Sequence, residues 1–380
     1  MPHVPERLLL GPGPSPVEPR VARAMSAPPL SHLDPAMMSM LDAIRDRLGK
    51  LFRAGDGAFT FAVSGTGTSG METAVANLTR PGARAVVVVT GYFGDRLAQI
   101  LTRFGANVAR LDVEWGHACT AEQLDSFLRA MSDPPDIVAM VHAETSTGVL
   151  NPVADLCRVA SDAGAMTIVD CVTSLGAHPV DVAAWGADAV YSCTQKGLGA
   201  PSGLAPITFS KRARDAARQV GDARRESRSF YFDLQLLEDY WVNRKYHHTI
   251  SAPLVYALDE ALEIVFAEGL EDRWSRHRTN HLALVDALAQ LGMDLLPAPA
   301  ERLWSLNAVR IPEGVDDALT RRQLLDRFGI EIGSGLGPLA GKIWRVGLMG
   351  YGSSKENVET LTAALGSLLS PQIGSRRVYQ

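Results

Sequence analysis

At 380 residues the chain exceeds one average domain, and a large unit with a smaller companion is the natural expectation. Hydrophobic residues make up 46% and charged residues 21%, ordinary usage for a soluble globular protein that buries its core without disulfides or a structural metal. A net charge of -5 with both signs interspersed argues against a nucleic-acid surface or an anionic-membrane surface.

In chain order, the opening residues show no charged-then-apolar leader pattern, and Pro12, Gly13 and Pro14 follow at once. No apolar run is long enough to cross a bilayer, so the cytoplasm is the expected compartment. Residues 1–20 read as an extended arm, because Gly11-Pro12-Gly13-Pro14-Ser15-Pro16 forms neither helix nor central strand. Residues 21–52 are helical in pattern, broken by turns at Pro28-Pro29 and Asp34-Pro35. A recurring beat comes next: a short apolar run, a polar turn, a helical stretch. The runs are 85–89, 137–141, 166–169, 189–191 and 205–209. Apolar, β-branched strands separated by helices predict an α/β fold with a mainly parallel sheet covered on both faces. The densest basic stretch, Arg224-Arg225-Glu226-Ser227-Arg228, reads as a solvated loop or helix face. Helical patterns over 254–267 and 274–291 lead to strand-like pieces at 305–311, 330–333 and 342–347. That change of rhythm predicts an arm over 1–20, a large domain over 21–268 and a smaller α+β domain over 269–380.

In open parallel sheets, ligands gather beyond the carboxyl ends of the strands. The polar strand tips here are Thr90-Gly91-Tyr92-Phe93, Glu144-Thr145-Ser146-Thr147-Gly148, Asp170 and Thr194-Gln195-Lys196, and they should converge on one cleft. The loop Ser64-Gly65-Thr66-Gly67-Thr68-Ser69-Gly70 precedes a helical pattern, an arrangement that suits a phosphate as well as a plain tight turn. It satisfies G-x-G-x-x-G, but the acid that a dinucleotide ribose needs about 20 residues on is replaced by Val89-Thr90-Gly91. Nicotinamide binding is therefore disfavoured, while a monophosphate site survives.

Asp170 ends an apolar strand, where a bare carboxylate is costly unless paired. It caps a following helix or pairs with a protonated pyridine nitrogen, which keeps such a ring an electron sink. Lys196 decides between them. Held at the ligand edge of the sheet before Gly197-Leu198-Gly199, it has room to form an imine, and desolvation would lower its pKa. Arg345, inside the apolar Ile343-Trp344-Arg345-Val346-Gly347, needs an anion: a substrate carboxylate or a structural acid. Phe93 either stacks on a flat ring or fills the core. His247 and His248 are adjacent on an extended chain and suit hydrogen bonding rather than a shared metal. Cys119, Cys157, Cys171 and Cys193 form no C-x-x-C pair, and all read as small packing residues; no metal site is expected.

Taken together these residues resemble the class V aminotransferases of pyridoxal-phosphate fold type I, within them the alanine–glyoxylate and serine–glyoxylate group. The resemblance runs from Leu8-Leu9-Leu10-Gly11-Pro12-Gly13-Pro14-Ser15 through Ser64-Gly65-Thr66-Gly67, Glu144-Thr145-Ser146-Thr147-Gly148, Val169-Asp170 and Ser192-Cys193-Thr194-Gln195-Lys196. It continues through Tyr246-His247-His248-Thr249-Ile250 and Gly335-Leu336-Gly337-Pro338 to Lys342-Ile343-Trp344-Arg345-Val346-Gly347. It implies that Lys196 is the Schiff-base lysine and that Asp170 binds the pyridine nitrogen. Thr66, Gly67, Thr68 and Gln195 would hold the phosphate, with Tyr246 and Thr249 reaching it from the other subunit of a homodimer. Thr145 would lie by the ring oxygen or the substrate, Phe93 would stack, and Arg345 would grip the substrate carboxylate. Close relatives often carry His where Thr68 stands and Trp where Phe93 stands, which bears on the choice of amino donor.

The implied reaction is a ping-pong exchange in which a small amino acid, alanine or serine, gives its nitrogen to a 2-oxo acid, glyoxylate or pyruvate. The alternatives are ureidoglycine as donor and, on the same fold, a cysteine desulfurase or related lyase. The latter needs a reactive cysteine on a later mobile loop, and every cysteine here precedes Lys196.

Overall fold

The computed structural model describes residues 4–218 and 227–374. Arg224, Arg225 and Glu226 of the basic stretch lie outside them; within them Arg228 donates to the Phe104 carbonyl at 2.8 Å. The helical pattern over 21–52 resolves into Pro19–Ala24 and Pro35–Leu51. Each begins on a proline, whose missing N–H costs nothing in a first turn, and Glu18 and Asp34 accept the next free backbone donors.

Seven strands build the central sheet: β1 (Phe59–Gly65), β2 (Arg84–Val89), β3 (Asn107–Asp112), β4 (Ile137–Val141), β5 (Met166–Asp170), β6 (Ala189–Tyr191) and β7 (Gly203–Phe209). Their spatial order is β1-β7-β6-β5-β4-β2-β3. The pairs among β3, β2, β4, β5 and β6 are all parallel. β7 runs antiparallel to both β6 and β1, so it alone is reversed. Beyond Arg84, β2 is apolar and buried, as is the whole of β4, which suits parallel strands covered on both faces by helices. The five apolar runs are all strands, but β1 and β3 were not foreseen. β3 is an edge strand, Asn-Val-Ala-Arg-Leu-Asp, in which no residue is fully buried.

The helices Ala252–Glu268 and Leu270–Gln290 meet at Gly269. Beyond them Leu306–Arg310, Ile343–Gly347 and Gly333–Ser334 form a three-stranded antiparallel sheet. The piece expected over 330–333 is divided: Ile330–Glu331 pairs instead with Leu8–Leu9 near the start of the chain. One apolar cluster gathers residues between Met37 and Val265, and a second gathers Leu10 with residues between Leu284 and Leu369.

The arm is therefore tied down. Leu10 is fully buried, donates to the Glu331 carbonyl at 2.9 Å and accepts from Gly347 N–H at 2.8 Å. Five residues on, Ser15 bonds the backbone carbonyls of Gln195 and Lys196, each at 2.9 Å.

Candidate active site

β1, β2, β4, β5 and β6 end on one side of the sheet, and the segments that leave their carboxyl ends face a single cavity of ≈ 280 Å³. After β1 the chain turns through Thr66 into the helix Gly67–Leu78. Thr66 N–H donates to Ser69 Oγ at 3.1 Å, fixing the turn. Gly67 is buried, and a Cβ there would stand 2.8 Å from Val172 Cγ2. Only a bare backbone fits. Gly67 and Thr68 of this first turn, and Met71 just beyond it, line the cavity, so the positive dipole end of the helix lies at the wall.

Asp170 closes β5 at 3% exposure. Its Oδ1 accepts from Val172 N–H at 2.8 Å and its Oδ2 from the Tyr191 hydroxyl at 2.9 Å. Burial pushes the carboxyl up to about 7; those two donors oppose the shift, Glu144 adds to it, and Lys196 opposes it. The site thus favours a cation beside Asp170.

Lys196 follows β6 and lines the same cavity, where burial holds its ammonium below the usual lysine range. The negative charge of Cys193, were it ionised, would oppose this; Arg345 reinforces it, and Asp170 opposes it. Nζ donates to the Pro12 carbonyl. Gly13, with φ 107°, lies so close that any side chain there would run into Lys196. An amine of this kind is a nucleophile toward a carbonyl once neutral.

Thr66, Gly67, Thr68, Phe93, Thr145, Asp170, Gln195 and Lys196 all line this one cavity. Gln195 Oε1 is buried there without a hydrogen-bond partner among the described residues. Arg345 is 8% exposed on the neighbouring sheet; its Nε donates to the Ser334 carbonyl at 2.7 Å, and it makes no ion pair within 4.0 Å among the described residues. Tyr246 and Thr249 stand apart from the cavity. Tyr246 is 64% exposed and rests against His32, and Thr249 is exposed as well. Neighbouring His247 and His248 bond the Tyr231 carbonyl and Ser64 Oγ, each at 3.0 Å. No metal-binding cluster occurs among the described residues.

Three features escaped sequence reasoning. Arg96 lines the cavity, lies over the Phe93 ring at 5.0 Å and donates to Thr68 Oγ1 at 3.3 Å. Its spacing of three from Phe93 on a helix was the available signal. Tyr191 and Glu144 were read only as strand ends. The four cysteines are all buried, and burial pushes the Cys193, Cys119 and Cys157 thiols up to about 12.

Known proteins share this fold. A family model described as aminotransferase class-V matches residues 20–361. The (S)-ureidoglycine–glyoxylate transaminase of Bacillus subtilis (strain 168) is 38% identical over 381 residues, spanning 96% of this chain and 91% of its own. The alanine–glyoxylate aminotransferase of Oryctolagus cuniculus is 36% identical over 370 residues, spanning 96% and 93%. The crystal structure of alanine–glyoxylate aminotransferase from Nostoc sp. superposes with a TM-score of 0.93 at 43% identity, covering 97% of this chain and 96% of that one.

Proposed function

The chain belongs to the class-V aminotransferases, and from that premise we propose that it moves the amino group of alanine or serine to glyoxylate or pyruvate. It is a pyridoxal-phosphate-dependent transaminase of fold type I. One observation carries the reading of its site: Lys196, Asp170 and the N-terminus of the helix Gly67–Leu78 line a single cavity.

The cavity fits this cofactor. The bare backbone at Gly67 leaves room for phosphate against a helix N-terminus, and the Gln195 amide, whose Oε1 has no partner among the described residues, can turn its NH2 toward it. Thr66, Gly67, Thr68 and Gln195 would hold the phosphate, Asp170 the pyridine nitrogen and Phe93 a face of the ring. Thr145 would lie by the ring oxygen or the substrate. Bound there, the cofactor supplies an electron-withdrawing ring that stores the pair left when a Cα–H bond breaks.

The chain's own residues do the rest. Asp170, ionised, keeps a proton on the pyridine nitrogen by charge pairing. Lys196 Nζ would carry the cofactor at rest; once free and neutral, it would take the α-proton from the amino donor and, as an ammonium, give a proton to the α-carbon of the incoming 2-oxo acid. The desolvation that lowers its pKa keeps more of that amine neutral near pH 7. Arg345, free of ion pairs among the described residues, offers its guanidinium to the substrate carboxylate. One cavity serving donor and acceptor in turn implies ping-pong kinetics.

Tyr246 and Thr249, exposed and outside the cavity, support a homodimer in which each chain completes the phosphate site of its partner. A division into an arm (1–20), a large domain (21–268) and a small domain (269–380) is supported by the two separate apolar clusters. The cytoplasm is our proposed compartment, supported by four unpaired buried thiols; no helix among the described residues is long and apolar enough to cross a membrane.

Ureidoglycine as donor is the second reading, supported by the similarity to the Bacillus subtilis enzyme. Sulfur transfer is disfavoured because every cysteine is buried and precedes Lys196. A panel of alanine, serine, ureidoglycine and cysteine against glyoxylate and pyruvate tests these readings. Parallel double-reciprocal lines with alanine or serine are expected. Turnover confined to ureidoglycine would select the second reading, and intersecting lines would overturn the ping-pong scheme.

A further inference from the structure

Glu144 is a completely buried carboxylate to which the proposed chemistry gives no task. It ends the short strand Ala143–Glu144 just beyond β4. Its Oε1 accepts from Ser146 N–H at 3.0 Å and from Ser146 Oγ at 2.6 Å. Its Oε2 accepts from the backbone N–H groups of Phe93 at 3.1 Å and Gly94 at 3.2 Å. Ser146 Oγ in turn accepts from Tyr92 N–H at 2.9 Å.

These donors come from two segments about fifty residues apart. Tyr92, Phe93 and Gly94 open the helix Tyr92–Arg103, whose first N–H groups have no intrahelical acceptor. The preceding Gly91 has no side chain to cap them. Glu144 and Ser146 take over that task from across the cavity wall, placing a negative charge at the positive end of the helix. Between the two anchors sit Phe93 and Thr145, both lining the cavity, with Arg96 one turn further along.

We infer that Glu144 is a positioning residue: its carboxylate clamps the Phe93 wall to the Thr145 wall and so sets the gap that receives the cofactor ring. This rests on the reading of the cavity as the cofactor site. Every acceptor position on Glu144 meets an N–H or O–H donor, so an amide in its place must turn an NH2 toward donors. Glu144→Gln therefore keeps the shape and breaks the clamp.

In apo protein, amide hydrogen exchange at Tyr92, Phe93 and Gly94 should quicken about tenfold or more in Glu144→Gln, with β2 amides unchanged. Affinity for added pyridoxal phosphate should fall by about tenfold, and the induced circular dichroism of its absorption band should shrink. With the amino donor, kcat should fall while KM stays near that of the wild type. Ser146→Ala, which removes one hydroxyl, should move the same readouts less far. Unchanged exchange and unchanged cofactor affinity in Glu144→Gln would overturn the inference. Should that variant not fold, unchanged exchange and affinity in Ser146→Ala would do the same. A wild type that binds no pyridoxal phosphate overturns the reading of the cavity itself, whereas a wild type that binds, beside an unaltered Glu144→Gln, overturns this inference alone.

Discussion

Tyr191 stands opposite Asp170 in the register of β6 and β5 and gives its phenolic hydrogen to Asp170 Oδ2 at 2.9 Å. The bond is buried and holds the Asp170 carboxyl lower than burial alone would leave it. Tyr191→Phe removes that donor with no change of ring volume. A hydrogen bond to a charged group is worth roughly 1.5–3 kcal/mol, so the acid limb of kcat/KM should move about one pH unit or more toward alkaline pH. A pH–rate profile checks this, and superimposable limbs would show that the phenol is a bystander.

Arg345 offers a sharper test of substrate binding. Lysine keeps the charge but loses the planar fork and the Nε bond to the Ser334 carbonyl. Arg345→Lys should raise KM for both amino donor and 2-oxo acid by about tenfold or more, with cofactor affinity intact. An unchanged KM for either partner would place the carboxylate elsewhere.

Asp170 also makes a claim about stability. Its folded pKa of about 7 lies above the unfolded 3.8, so the folded apo chain keeps a proton that the unfolded chain has lost. The penalty is absent below about pH 4 and complete above about pH 7, reaching a few kcal/mol in order of magnitude. Apo Asp170→Asn should therefore unfold later than apo wild type at pH 8, and the gap should close as pH falls toward 4. His142 and His277, lowered to about 3 by burial, act oppositely in both proteins, costing stability as pH falls below 6.5. The difference between the two unfolding curves isolates Asp170. A constant gap across this range would refute the assignment.

Shared sites can be tested by mixing defects. Lys196→Ala and the double variant Tyr246→Ala, Thr249→Ala should each be inactive alone. Coexpressed, random dimers contain one intact site in half of them, so about a quarter of wild-type activity should return. No recovery, in dimers shown to be mixed, would mean that each chain builds its own site.

Much of this was legible because the physics is local. A buried parallel strand must be apolar on both faces, and Val86-Val87-Val88-Val89 or Ile137-Val138-Ala139-Met140 has few other uses. The strand tips then place Thr145, Asp170, Gln195 and Lys196 at one edge without any knowledge of packing. β3 escaped because this edge strand is half polar and none of it is fully buried, so it reads like a surface segment. Ile330 and Gly333 read as one strand because nothing local shows that the chain changes partner between them. Glu144 was hidden for a different reason: its acceptors are matched to backbone N–H groups about fifty residues away, and backbone donors leave no mark in a sequence.

The strap from Leu10 to Ser15 carries a consequence for assembly. Leu10 is stitched to Glu331 and Gly347, and Ser15 to the carbonyls beside and at Lys196. A stretch near residue 10 cannot settle until residues more than 300 positions later exist to receive it. During synthesis on the ribosome, the lysine pocket therefore stays open along the Pro12 side until Glu331 and Gly347 have emerged. Cofactor capture becomes a late event, and bulky fusions just ahead of Leu8 should delay maturation more than equal fusions at an outer loop.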